Sequence, residues 1–99
     1  MSKGLSFMKI QLKQLSQTLP NTPLHLPHTG GEALTCLLSE PRPDDAVDSY
    51  YLCLEGEVLI DLPYGDFVHL KKLEAVRIEG GKNRKLTPVG QPLLLILRL

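Results

Sequence analysis

The sequence lacks a long apolar run, and it has no excess of charge of either sign. No stretch approaches the roughly 20 apolar residues of a membrane-spanning helix, and residues 1–10 lack the apolar core and cleavage site of a secretory signal. Eleven basic residues balance eleven acidic ones, so charge gives no reason to expect nucleic acid or an anionic membrane as a partner. These absences predict a cytoplasmic protein that binds neither.

Cysteine is also scarce, with Cys36 and Cys53 as the only two. Each lies in an apolar, strand-like run, where a free thiol in a reducing compartment behaves as a small apolar side chain. We therefore expect two free cysteines. A disulfide between them is the alternative, and it requires neighbouring strands with matched Cβ directions.

Helical periodicity is confined to one segment near the N-terminus. Leucines spaced three or four residues apart predict a short helix over residues 9–19, which Pro20 ends. A short strand over residues 8–12 that leads into a helical turn is the alternative. Residues 19–32 are rich in Pro, Gly, Asn, Thr and His, which predicts an extended, irregular arm. Residues 1–32 are thus expected to form a leader, a short helix and a Pro-rich arm.

The rest of the chain, residues 33–99, alternates short apolar segments with turn signals. Strands are predicted over residues 33–38, 50–54, 57–62, 67–70, 74–78, 84–87 and 93–97. Tight turns are predicted at residues 55–56, 62–65 and 88–91, and a polar loop at residues 41–48. Short strands with almost no helix predict one all-β domain, a sandwich or a barrel that closes its own edges.

Residues 93–97 are five apolar residues in a row. Because a strand alternates its faces, only half of these side chains can point into a barrel. The other half needs cover, since contiguous exposed apolar patches are rare on monomers. The cover is either the N-terminal helix and arm or a second copy of the chain. We expect a homodimer, because one short helix covers little.

The order of these pieces resembles a known family. The strand before the Glu-Gly-Glu turn at residues 55–57, the strand after it, the Pro-Tyr-Gly-Asp turn at residues 63–66 and the segment 70–81 are similar to a small single-domain cupin of the RmlC-like jelly-roll type. The resemblance covers residues 33–99. It implies an all-β double-stranded β-helix, or jelly-roll barrel, preceded by a short N-terminal helix and an extended arm.

The first motif of that family lacks its metal ligands here. Family members carry His-x-His, three or four residues, Glu, six residues and Gly. Counting back from Gly56 places Ser49 at the Glu, and Asp45 and Pro43 at the two histidines. Only Asp45 is then a plausible oxygen ligand.

The second family motif is altered as well. It runs Gly, five residues, Pro-x-Gly, two residues, His. Gly81 matches the inner glycine, whereas Leu73, Glu79 and Arg84 replace the first glycine, the proline and the histidine. A divalent metal usually needs three or four protein donors, and the Arg84 cation would repel it. The resemblance therefore implies a cupin with no metal and no cofactor.

The three histidines lie outside both motifs. His25 and His28 are three residues apart in the arm, so a metal site rebuilt from His25, His28 and Asp45 is one hypothesis, set against solvated loop histidines. His69 stands between two apolar residues of a strand, and we expect a solvated imidazole there.

The resemblance also places a candidate ligand pocket in the barrel. It consists of Arg84, Tyr51, Ser49, Asp45 and Cys53. In a structural interpretation, Arg84 pairs with Asp45 or Asp48 and Tyr51 donates to a backbone carbonyl, since an interior charge must be paired. In a functional interpretation, Arg84 holds a small anionic metabolite, with hydrogen bonds from Tyr51 and Ser49.

Two hypotheses of function follow. The first is a metal-free, non-catalytic cupin that forms a homodimer and works as a small-ligand-binding or interaction module. The second is a small-molecule enzyme, similar to an isomerase or epimerase, that uses Tyr51, Arg84 and an acidic loop residue without metal. No inward histidine is available as its base, and the apolar neighbours of Cys53 predict an inert thiol.

Overall fold

The computed structural model describes residues 7–99, in which one short helix precedes seven strands. The elements are α1 (Leu12–Gln17), β1 (Leu24–His25), β2 (Ala33–Leu37), β3 (Arg42–Asp44), β4 (Ser49–Asp61), β5 (Phe67–Leu70), β6 (Ala75–Ile78) and β7 (Arg84–Arg98). A 3₁₀ turn, Pro63–Gly65, separates β4 from β5. Residues 1–6, most of the predicted leader, lie outside the described part of the chain.

The strands form two sheets because β4 and β7 are long enough to contribute to both. One sheet joins β1, β2, the C-terminal half of β7, the N-terminal half of β4, and β6. The other joins β3, the N-terminal half of β7, the C-terminal half of β4, and β5. Every pairing is antiparallel. Apolar residues of both sheets form a single buried core between them, so the predicted all-β jelly roll is confirmed.

Two of the predicted tight turns are wrong, because the chain passes through them without reversing. Residues 55–56 lie inside β4, where the register with β7 shifts on both sides of Glu55. Gly56 has φ of 72°, and a Cβ there would lie 3.0 Å from the Cα of Pro92. Glycine therefore permits a bulge and a close strand contact at this point. Residues 88–91 lie inside β7 in the same way.

The predicted polar loop at residues 41–48 contains a strand. β3 pairs with β7, with Asp44 opposite Arg84. Pro43 did not prevent this, because β3 pairs on one side only and a proline lacks just the outward hydrogen bond of an edge strand.

The helix is shorter than the predicted span of residues 9–19. It starts after Gln11, whose side chain makes no capping hydrogen bond, and residues 8–11 do not form the alternative strand. No helix within residues 7–99 has the length and apolarity that a membrane crossing requires. The arm contributes only β1, two residues long, to the edge of the first sheet.

The cysteines are both buried and both free. Leu94 of β7 pairs with Cys36 of β2 on one side and with Cys53 of β4 on the other. Two strand spacings separate their Cα atoms by roughly 10 Å, which exceeds the span of about 7 Å that a disulfide allows. The free thiols expected from the sequence are confirmed.

Candidate functional site

The barrel interior holds most of the predicted pocket. Ser49, Tyr51 and Cys53 alternate along β4, and all three are buried. Arg84, the first residue of β7, is only 4% exposed and lies against the ring of Tyr51, with its guanidinium carbon 5.9 Å from the ring centroid. The alternation of β4 therefore placed three of these side chains on the inward face.

Asp45, by contrast, does not enter the cluster. It is exposed, whereas the side chain of Asp44 is only 2% exposed. Taken as whole residues with their backbone, Arg42 and Asp44 of β3 are half-buried, whereas Pro43 is exposed. When the spacer of the first motif is taken as four residues, its two histidine positions fall on Arg42 and Asp44. The spacer of three residues instead placed the two ligand positions on Pro43 and Asp45, one residue further along the chain. Their side chains therefore lie on the outward face.

Among the described residues 7–99, Arg84 forms no salt bridge with a carboxylate, so the predicted ion pair with Asp45 or Asp48 is wrong. Its guanidinium donates to three backbone carbonyls: Nη1 to Val47 at 2.8 Å, Nη2 to Glu79 at 2.7 Å and Nε to Lys82 at 3.0 Å. Nη1 also lies 3.3 Å from the Tyr51 hydroxyl. Asp48 pairs instead with Arg77 on the surface. The rigid fork of Arg84 is thus occupied by the protein itself.

Asp44 is instead held by Arg98, a residue that the sequence analysis did not single out. Arg98 donates from Nη1 and Nη2 to the two carboxylate oxygens at 2.9 and 3.0 Å. Its Nη1 also contacts Ser49 Oγ at 2.9 Å. The Tyr51 hydroxyl donates to Asp44, not to a backbone carbonyl as predicted. Leu94 and Ile96 point inward along β7, so the same alternation could have indicated Arg98.

These contacts shift the acidities of the cluster. Burial raises the pKa of Asp44, but the hydrogen bonds from Arg98 and Tyr51 and the charge of Arg98 outweigh it, so the pKa lies below its ordinary value. Burial and the bond to Asp44 raise the pKa of Tyr51, and the Asp44 contact raises the pKa of Arg98. At neutral pH Asp44 is therefore a carboxylate, Arg98 a cation and Tyr51 a neutral phenol.

The thiols take no part in this chemistry. Burial raises the pKa of Cys36 and of Cys53, which keeps both protonated near neutral pH. The Cys53 thiol also faces the backbone carbonyls of Glu55 and Gly56 at 3.3 and 3.2 Å. Because the thiolate is the nucleophile, neither cysteine is suited to covalent catalysis.

The donor set of the barrel does not suit a divalent metal. Its one carboxylate, Asp44, already accepts from Arg98 and Tyr51, and the Arg84 cation occupies the last motif position. Across residues 7–99, no three His, Cys, Asp or Glu side chains converge in the manner of a metal site. The site suggested for His25, His28 and Asp45 is therefore not formed. His69 lies on the surface, with Nε2 2.7 Å from Glu57.

The backbone supports the alignment of the second motif. Leu73, at the position of the motif glycine, has φ of 68°, and Gly81 has φ of 86°. Both lie in the left-handed region that favours glycine. Both positions thus have a backbone conformation that suits the glycines of the motif, although one of them is a leucine here.

Solved structures share this architecture. A hydroquinone 1,2-dioxygenase from a Sphingomonas species, crystallised with 4-hydroxybenzoate, has a TM-score of 0.75 at 9% identity, over 99% of this chain and 82% of its own. A protein of unknown function from Rhizobium leguminosarum has a TM-score of 0.72 at 15% identity, over 95% and 97%. A cupin-2 domain protein from Shewanella frigidimarina has a TM-score of 0.67 at 14% identity, over 90% and 92%.

Sequence comparison does not assign the chain to a family. No protein-family model matches the chain, and no curated protein matches it. At 9 to 15% identity, the structural likeness defines the fold and leaves the chemistry to the residues of this chain. The chain is a small cupin-like domain with the all-β jelly-roll fold.

Proposed function

We propose that this protein is a metal-free, non-catalytic cupin that forms a homodimer and works as a small-ligand-binding or interaction module. The observation behind the proposal is the closed polar cluster of the barrel. Within residues 7–99, no buried side-chain nitrogen or oxygen lacks a hydrogen-bond partner. A cluster that satisfies its own donors and acceptors leaves none directed at a substrate or an ion. The free cysteines fit a cytoplasmic location.

We do not extend the activity of the dioxygenase among the structural neighbours to this chain. Donors for a divalent ion are replaced here by Arg84 and by a carboxylate that is already bound to Arg98. The metal-free enzyme is also less favoured. Its acidic residue would be Asp44, whose depressed pKa makes it a poor proton donor or acceptor near neutral pH.

The homodimer is supported by the outer face of the first sheet. The helix covers only part of this face, where Ser16 Oγ lies 2.9 Å from Thr35 Oγ1 and both residues are buried. The next cross-strand pair on the same face is Leu97 of β7 with Tyr50 of β4, and these residues are 38% and 42% exposed. These two exposed apolar side chains lie beside the part of the face that the helix covers, and a second copy would bury them.

Leu97→Glu is expected to convert the dimer to a monomer at micromolar concentration, because it buries a carboxylate at the centre of the contact. Size-exclusion chromatography with light scattering measures this directly. Val89→Glu is the matched control, since Val89 is exposed on the same strand but pairs in the other sheet. A monomeric wild-type protein, or a Leu97→Glu dimer as strong as the control, would contradict the proposed interface.

A further inference from the structure

One end of the barrel carries an open cleft that the predicted pocket does not include. Its volume is about 390 Å³, which lies in the range of small-molecule sites. The cleft runs between the loop after β4 and the loop before β7. Its walls are Leu62, Pro63, Tyr64 and Asp66 on the first loop and Lys82 and Asn83 on the second. We refer to it as the rim cleft.

The second wall of the rim cleft is held in place by Arg84. The guanidinium binds the carbonyls of Glu79 and Lys82, at the two ends of the loop. Between them, the amide of Gly81 donates to Ala46 at 2.8 Å. These contacts fix the backbone on which Lys82 and Asn83 stand. Arg84 is therefore a positioning residue for this wall, and its own side chain stays inside the barrel.

The two walls carry opposite and unpaired charges. Lys82 stands on one loop and Asp66 on the other, and neither is in any ion pair formed within residues 7–99, including one with each other. Asp44 and Asp48, by contrast, each form an ion pair. An ammonium and a carboxylate across one cleft are complementary to a zwitterion, which would meet both charges at once.

The rest of the rim cleft offers apolar surface. Leu62 and Pro63, in its first wall, are half-buried. The ring of Tyr64 is fully exposed beside them, and Tyr64 has φ of 62°. A left-handed backbone is costly for a tyrosine, and a fully exposed ring gains no packing in return. An aromatic side chain held in this way can contribute apolar contact to a bound molecule.

We infer that the rim cleft binds a free α-amino acid with an apolar side chain. The ligand carboxylate lies at Lys82 and Asn83, its ammonium group at Asp66, and its side chain against Leu62 and Tyr64. This inference rests on the proposed function as a small-ligand-binding module. It moves the site from the barrel interior to its rim, where unpaired charges are available.

The test is a titration of ¹⁵N-labelled full-length protein with L-phenylalanine, followed by amide chemical shifts. Saturable shifts are expected at Tyr64, Lys82 and Asn83. Phenethylamine lacks the carboxylate and 3-phenylpropionate lacks the ammonium group, so each is expected to bind at least about tenfold more weakly. Lys82→Met is expected to weaken phenylalanine binding to the same degree. Lys71→Met is the matched control, because Lys71 is exposed on the loop after β5, away from the rim cleft.

Several outcomes would overturn the inference. They are the absence of saturable shifts, equal binding of the three compounds, unchanged binding by Lys82→Met, or shifts centred on Tyr51 inside the barrel. None of these results bears on the dimer or on metal binding, which have separate tests. A failed prediction of ligand binding in the rim cleft can therefore be distinguished from a failed prediction of the metal-free homodimer.

Discussion

Asp44→Ala is expected to lower the free energy of unfolding by about 3–5 kcal/mol, the usual cost of removing one partner of a buried ion pair. Arg98 would lose both of its contacts to the carboxylate, and the Tyr51 hydroxyl would lose its acceptor. An uncompensated guanidinium beside Ser49 would remain. Urea unfolding followed by circular dichroism gives the free energy and its change.

Two variants make the Asp44 result specific. Asp45→Ala is the matched control, because the next residue along the chain is exposed, and its effect should stay within about 0.5 kcal/mol. Asp44→Ala combined with Arg98→Met should recover part of the loss, since removing both partners leaves no unpaired charge. Equal stabilities of Asp44→Ala and Asp45→Ala would contradict the assignment of Asp44 as the buried partner.

The ion pair of Asp44 with Arg98 also predicts how the free energy of unfolding changes at acidic pH. The pKa of Asp44 is lower in the folded than in the unfolded state, so the unfolded chain takes up this proton first as the pH falls. The contribution of Asp44 is complete above about pH 4, the ordinary value for an aspartate, and is lost as the pH falls through the folded pKa. The Asp44→Ala variant should therefore lose less stability than wild type over that interval.

Arg84→Met is expected to destabilise the fold by about 2–4 kcal/mol, because it removes three part-buried hydrogen bonds that a charged donor makes to backbone carbonyls. The carbonyls concerned are those of Val47, Glu79 and Lys82. The loss should appear without any ligand present, and the Gly81 amide should exchange faster with solvent as the loop loosens. Urea unfolding and hydrogen exchange measure the two effects.

The Arg84→Met result distinguishes a structural role of Arg84 from a role in binding a ligand. Lys85→Met changes the neighbouring, exposed residue and should alter stability by no more than about 0.5 kcal/mol. Arg84→Lys should recover little, since an ammonium cannot span three carbonyls as a planar fork does. A fully stable Arg84→Met protein with an unchanged Gly81 amide would show that Arg84 does not hold the loop.

Local patterns in the sequence predicted the strands, the inward faces and the turn at residues 62–65, but not that the chain continues without reversing through residues 55–56 and 88–91. A glycine that reverses the chain and a glycine at a bulge look alike in one strand. Gly56 is a bulge because Pro92 of the neighbouring strand lies against it, and that contact depends on pairing between distant segments. The strand β3 was missed because Pro43 is tolerated only where one side of a strand is unpaired.

The candidate site was predictable in part for the same reason. Alternation along β4 identified Ser49, Tyr51 and Cys53 as inward residues, and all three are buried. The partner of each charge could not be predicted locally. Asp44 and Arg98 are far apart in sequence, and the register of two sheets brings them together. A one-residue difference in the motif spacer was enough to exchange Asp45 for Asp44.

The most direct test of the metal-free barrel is elemental analysis of the protein after incubation with manganese, iron(II), nickel and zinc, combined with thermal unfolding. Because Asp44 is held by Arg98 and Tyr51, we expect no stoichiometric metal and no rise in Tm with any of the four ions. One ion per chain that raises Tm, and that is lost in Asp44→Ala, would contradict it.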